Sequence, residues 1–123
     1  MLVFLYGTLT DPRVFADAAG TAAPLARARP ARLTGYRRVT LRGTPYPTLV
    51  RDPDATVEGL LAAIPPALLP ALHAYEGRRY RFLPVRVVAG VATVEARAWI
   101  APEGLADRRR PWSPSAVGTI TTA

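Results

Sequence analysis

The chain has no cysteine. Disulfides, thiolate nucleophiles and zinc–thiolate sites are therefore excluded, and nothing argues for export. Lysine is also missing: all 16 basic residues are arginine, against 9 acidic ones, for a formal net charge of +7. Histidine occurs once, at His73, and the acidic residues show no ligand spacing, which speaks against a bound metal. Serine is confined to Ser113 and Ser115, away from any strand–turn–helix elbow, so a Ser–His–Asp triad is poorly supported. There is no Walker loop, no dinucleotide fingerprint and no internal repeat. No apolar run is long enough for a membrane span, and no basic region precedes the short apolar N-terminus as it would in a secretory signal. The expectation is a cytoplasmic protein with no membrane partner.

What is present suits one globular domain. Of 123 residues half are apolar and a fifth are charged, enough to bury a core without a second one. The arginines, with abundant alanine and proline, read as a GC-rich coding bias. A positive surface attracts acidic small molecules and nucleic acid alike. Nucleic-acid binding calls for arginines clustered with stacking aromatics. Here they are scattered from Arg13 to Arg97, and the run Arg108-Arg109-Arg110 lies in a Pro-rich segment, so no nucleic-acid partner is expected.

The first nine residues organise the chain. Leu2-Val3-Phe4-Leu5 is apolar on both faces, as in a strand buried inside a sheet or barrel. It breaks at Tyr6-Gly7-Thr8-Leu9. Thr10 then reads as the N-cap of a helix over 11–19, with Pro12 in its first turn and Gly20 beyond its end. Strands are predicted over 25–33, 36–41, 48–50 and 56–64, broken at Gly35, at the loop from Gly43 to Pro47 and at Asp52-Pro53-Asp54. Gly59 marks a bulge or a close backbone approach. Leu69, Leu72 and Tyr75 recur at helical spacing up to Gly77, and two alternating runs around Ala89-Gly90 read as a β-hairpin. Residues 101–123 read as an irregular Pro- and Arg-rich tail that Trp112 could pin to a 1–100 domain. The economical architecture is α+β, a small mixed sheet of about six strands that curls or closes into a barrel, with two short helices.

Carboxylate acid–base chemistry is what these exclusions leave, and Glu76 is the best candidate. It ends a helix with an apolar face, where the dipole disfavours negative charge by about 0.3–1 kcal/mol. With partial burial, that placement raises the pKa towards neutrality, as a general acid or base requires. An exposed Glu76 paired with Arg78 or Arg79 fits the same residues. So does a plain strand-to-helix turn at Tyr6-Gly7-Thr8-Leu9, beside the reading that its amides cradle a carboxylate or oxyanion.

These residues resemble a known family. Tyr6-Gly7-Thr8-Leu9 after an apolar strand is similar to the substrate loop of the γ-glutamylcyclotransferase-like, or AIG2-like, family. In the same order, Tyr46-Pro47-Thr48-Leu49 resembles its "YPAL" signature and Val57-Glu58-Gly59-Leu60 its "V-x-G-x-L" strand. The segment from Leu72 to Gly77 with Tyr80-Arg81 resembles its "LDxYEG…YxR" stretch, and Ala96 to Ile100 lies where it carries an "A-x-x-Y" strand. The match runs from residue 2 to about residue 100. It implies a mixed β-barrel-like fold and a cofactor-free reaction in which the α-amine of a γ-glutamyl compound attacks its own γ-carbonyl. The products are 5-oxoproline and a free amine. It further implies that Glu76 is the catalytic acid–base and that Tyr6, Gly7, Thr8 and Leu9 bind the substrate, a small γ-glutamyl molecule. The family's Asp is His73 here, altering helix capping or a neighbouring contact, and its strand Tyr is Ile100. The composition fits a bacterial member. A protein of the same fold that binds carboxylates without turning them over is the alternative.

Overall fold

The computed structural model describes residues 1–113. Leu2–Leu5 (β1) is apolar on both faces because both are covered. Phe4 points into a barrel interior with Leu33, Leu49, Leu61, Val87 and Ile100, whereas Val3 and Leu5 pack outwards with Phe15, Leu72 and Trp99 beneath two helices. Those helices are Pro12–Ala19 (α1) and Leu69–Glu76 (α2). The other strands are Arg29–Leu41 (β2), Pro47–Ala63 (β3), Arg81–Ala89 (β4), Ala92–Ile100 (β5) and Ala106–Pro111 (β6). Neighbours run β3-β1-β5-β4-β2, and β2 also pairs with β3, closing a five-stranded barrel; β6 adds to β2 outside the ring. β1 runs antiparallel to β3 and parallel to β5. The α+β barrel with two short helices is as expected.

The described strands number six, but their bounds are not those predicted. Residues 23–27 form a 3₁₀ turn, and β2 then runs unbroken across Gly35. β3 likewise runs through Asp52-Pro53-Asp54. The register passes from Thr34↔Thr56 to Tyr36↔Arg51, so residues 52–55 bulge opposite Gly35, whose φ of 88° only glycine adopts readily. Pro53 sits in that bulge, where its missing N–H removes no ladder bond. The Asp52 carboxylate accepts from the Asp54 amide (3.1 Å) and from the Arg37 guanidinium (3.3 Å), closing the bulge on itself.

Gly59 does mark a close approach: a Cβ there would collide with the Leu5 carbonyl and stand 2.8 Å from the Phe4 ring. The β4–β5 hairpin turns at Gly90-Val91, with Ala89 paired to Ala92. At α1 the cap is Asp11, whose carboxylate accepts from the Arg13 amide at 2.8 Å; the expected cap, Thr10, instead donates its hydroxyl to the Gly7 carbonyl at 2.7 Å. The tail is not irregular throughout. Residues 106–111 are β6, paired to the end of β2, and Trp112 beyond it is buried with its indole N–H on the Pro45 carbonyl at 2.7 Å. Residues 114–123, Ser115 included, lie outside the described residues. No described helix is long and apolar enough to cross a membrane.

Candidate active site

The chain leaves β1 at Tyr6, a buried residue whose hydroxyl donates to the Trp99 carbonyl on β5. Burial pushes this phenol well above its usual range, so it stays protonated as that donor. The Tyr6 carbonyl accepts from the Arg38 guanidinium at 2.8 Å. Both contacts hold the start of the loop, so Tyr6 anchors it from within. Gly7 needs to be glycine because a Cβ would lie 2.7 Å from the Pro47 ring. Thr8–Thr10 then make one 3₁₀ turn, closed by the amides of Thr10 and Asp11 on the carbonyls of Gly7 and Thr8, each at 3.1 Å. A turn of this kind leaves its first amides unused. The N–H groups of Gly7, Thr8 and Leu9 have no backbone partner among the described residues. The Leu9 side chain is buried beneath the helices.

Facing this loop is the end of α2. The helix stops where Gly77 takes a φ of 86° and returns its N–H to the His73 carbonyl at 3.0 Å. Glu76, the last helical residue, is partly buried. Its carboxylate makes no hydrogen bond or ion pair with any described residue, so the pairing with Arg78 or Arg79 open from sequence is not formed. No buried, unsatisfied side-chain oxygen occurs among the described residues, so the unpartnered Glu76 oxygens open onto the cavity. Burial pushes this carboxyl up from about 4.5 to about 7. The direction is the one expected from sequence, and its cause is loss of solvent.

Tyrosines tie these parts together. The Thr8 and Tyr75 hydroxyls share a hydrogen bond of 2.7 Å, joining loop to helix. The Tyr80 hydroxyl donates to the Pro47 carbonyl at 2.5 Å, joining the segment after α2 to the Tyr46-Pro47 loop. Burial raises both phenols, Tyr80 strongly, with the Glu76 charge adding to the effect. His73 faces away from this cluster. Its ring stands edge-on to Phe82 and Trp99, at centroid distances of 5.0 and 5.5 Å, and its Nδ1 accepts the Trp99 indole N–H at 3.0 Å. In the neutral ring this bond leaves the proton on Nε2.

The structure thus brings all five residues singled out from sequence, Tyr6, Gly7, Thr8, Leu9 and Glu76, to one cavity of about 390 Å³. Sequence reasoning did not assign Tyr46, Pro47, Tyr75, Tyr80, Arg78 and Arg79 to the site, although they line the same cavity. Their signal was in plain view, since the four non-arginine residues sit inside the motifs that carried the resemblance. Among the described residues no cluster of three or more His, Cys, Asp or Glu could hold a metal. Glu76 is the one carboxylate among the lining residues. The arrangement offers a base of near-neutral pKa opposite unused backbone donors, a pairing suited to moving protons beside a developing oxyanion.

Comparison with known proteins follows the same lines. Protein AIG2 C of Arabidopsis thaliana is 32% identical over 103 residues, covering 80% of this chain. The chain spans only 61% of that relative's length. A solution structure of an Arabidopsis thaliana protein superposes with a TM-score of 0.71 at 25% identity, covering 98% of this chain and 74% of that one. A structure described as gamma-glutamyl cyclotransferase gives a TM-score of 0.68 over 83% of this chain and 66% of its own, and at 17% identity it shows the shared fold alone. The family model described as "Gamma-glutamyl cyclotransferase, AIG2-like" matches residues 3–116, nearly the whole chain. The chain belongs to the AIG2-like gamma-glutamyl cyclotransferase family.

Proposed function

We propose that the protein is a cofactor-free γ-glutamyl cyclotransferase in which Glu76 is the acid–base and the Tyr6–Leu9 loop holds the glutamyl half of the substrate. The observation that supports this best is the unpartnered Glu76 carboxyl, with its pKa near 7, in the same cavity as the unused amides of Gly7, Thr8 and Leu9. A volume of about 390 Å³ suits one small flexible molecule.

Glu76, ionised, takes a proton from the substrate's α-ammonium. The freed amine attacks the γ-carbonyl carbon, forming the C–N bond of the five-membered ring and placing negative charge on the carbonyl oxygen. The loop amides donate to that oxygen or to the α-carboxylate; one oxyanion donor is typically worth about 2.7–4 kcal/mol. The original amide C–N bond then breaks as Glu76 returns its proton to the departing nitrogen, and the second proton of the ring nitrogen passes to the released amine, which leaves as its ammonium. The nucleophile and electrophile belong to one molecule, so most of the site's task is to hold it in its cyclising shape.

Incubation with a panel of γ-glutamyl-amines and γ-glutamyl-amino acids, scored by 5-oxoproline release, tests the reading. Glu76→Gln keeps the shape of the side chain and cannot carry the proton, so release is expected to fall by at least about 10³-fold with the fold intact by circular dichroism. Unchanged turnover in that variant rules out Glu76. Binding of every conjugate without release from any of them favours a carboxylate-binding protein instead.

A further inference from the structure

The cavity is not electrically neutral at its mouth. Arg78 and Arg79 follow directly on Gly77, both line the cavity and both are exposed. Neither forms an ion pair with a described residue, although the described acids do pair elsewhere, Asp52 with Arg37, Glu95 with Arg86 and Glu103 with Arg108. Around them the wall is uncharged: Thr44, Tyr46, Tyr75 and Tyr80 contribute hydroxyls. The single opposing charge is the Glu76 carboxylate, which is deeper set and largely protonated below a pH of about 7.

We infer that Arg78 and Arg79 select the departing half of the substrate, and that the preferred substrates are γ-glutamyl conjugates whose amine half carries a carboxylate. The inference rests on the function proposed above. With the glutamyl half held between the Gly7–Leu9 amides and Glu76, the amine half extends to the arginine-lined rim. Two guanidinium groups there, free of internal acids, present planar forks that match a carboxylate in bidentate fashion. The same two charges repel an amine half that carries a second ammonium group, and the concave shape of the rim strengthens both effects.

Three conjugates with an identical glutamyl half test this: γ-glutamyl-glutamate, γ-glutamyl-ethylamide and γ-glutamyl-cadaverine, whose amine halves are anionic, neutral and cationic. At low ionic strength kcat/KM of the native protein is expected to favour the anionic conjugate over the cationic one by about tenfold or more, mostly through KM. In the double variant Arg78→Gln/Arg79→Gln that ratio is expected to shrink to about two, and Arg78→Lys/Arg79→Lys is expected to restore part of it. A ratio that survives the glutamine variant overturns the inference. So does an equal loss on all three conjugates, which would place the arginines on the shared glutamyl half. If no conjugate yields 5-oxoproline, the cyclotransferase reading fails by itself. Calorimetric affinities for the same three compounds then decide the arginines: an order of anionic, neutral, cationic upholds their role, and equal affinities or no binding overturns it.

Discussion

Burial favours the protonated form of Glu76, so ionising it comes at a cost to the fold. In the unfolded chain the carboxyl loses its proton near 4.5; in the folded protein burial keeps the proton on up to about 7. Between those values the folded state binds the extra proton, so this group's contribution to stability is full below about 4.5. It is lost as the pH rises through 7. An ionised, partly buried Glu76 therefore destabilises the protein at alkaline pH by about 1–3 kcal/mol. Glu76→Gln, neutral at every pH, is expected to match the native protein in urea melts at pH 4 and to exceed it by that amount at pH 8.5. Equal stability at both pH values would mean that the carboxylate is well solvated. In the proposed reaction the same carboxyl sets the acid limb: kcat/KM is expected to fall about tenfold per pH unit below 7, because only ionised Glu76 accepts the ammonium proton. A midpoint near 4.5 instead would assign the limb to an unperturbed carboxylate.

At the level of elements, the site is clamped from the C-terminal side. Trp112, just past β6, donates its indole N–H to Pro45 in the loop that carries Tyr46, and the Arg38 guanidinium lies 5.6 Å over its ring. Arg38 in turn donates to the Tyr6 carbonyl at the start of the Tyr6–Leu9 loop. One side chain thus braces two walls of the cavity. Trp112→Ala is expected to cost about 3–5 kcal/mol in stability. Trp112→Phe keeps most of the packing and loses only the N–H donor, so it is expected to cost about 1 kcal/mol while raising KM several-fold through a looser Tyr46-Pro47 loop. An unaltered KM in Trp112→Phe would separate the clamp from the site. None of this was legible in the run Asp107-Arg108-Arg109-Arg110-Pro111. An edge strand with its side chains mostly in solvent shows no apolar alternation, and its pairing comes from backbone groups that every residue except proline carries in full. The breaks read at Gly35 and at Asp52-Pro53-Asp54 misled for a related reason. Each residue type fits a turn, but placed opposite each other the two interruptions make one bulge and the strands continue. Local signals fared better where a helix end or a two-residue hairpin decides the geometry, as at Gly20, Gly77 and Gly90. The five residues that the structure brings to one cavity were singled out because they fall in short motifs whose order is specific. Tyr46, Tyr75 and Tyr80 were passed over because a tyrosine's role depends on what its hydroxyl reaches across the fold.

At the scale of the molecule, the Tyr6–Leu9 loop hangs from an enclosed strand. β1 has β3 on one side and β5 on the other, the barrel interior beneath it and the two helices above. Its parallel pairing with β5 joins residues nearly a hundred positions apart, a contact that no local pattern announces. A loop on such a support keeps its amides in place, while the elements that complete the site, α2 and the segment braced by Trp112, lie on the rim. α1 and α2 have eight residues each, too short to persist without the apolar cluster that holds them to β1. Stability should therefore be graded from β1 outwards. In native-state hydrogen exchange the amides of Val3 to Leu5 are expected to exchange only through global unfolding, with a denaturant dependence equal to that of the whole protein. Those of Asp107 to Arg110 are expected to exchange through local opening at least about 2 kcal/mol lower in free energy, because β6 is an edge strand outside the closed ring and mostly exposed. Equal protection of the two strands would make β6 part of the cooperative barrel, and its removal would then unfold the protein rather than merely loosen the mouth of the cavity.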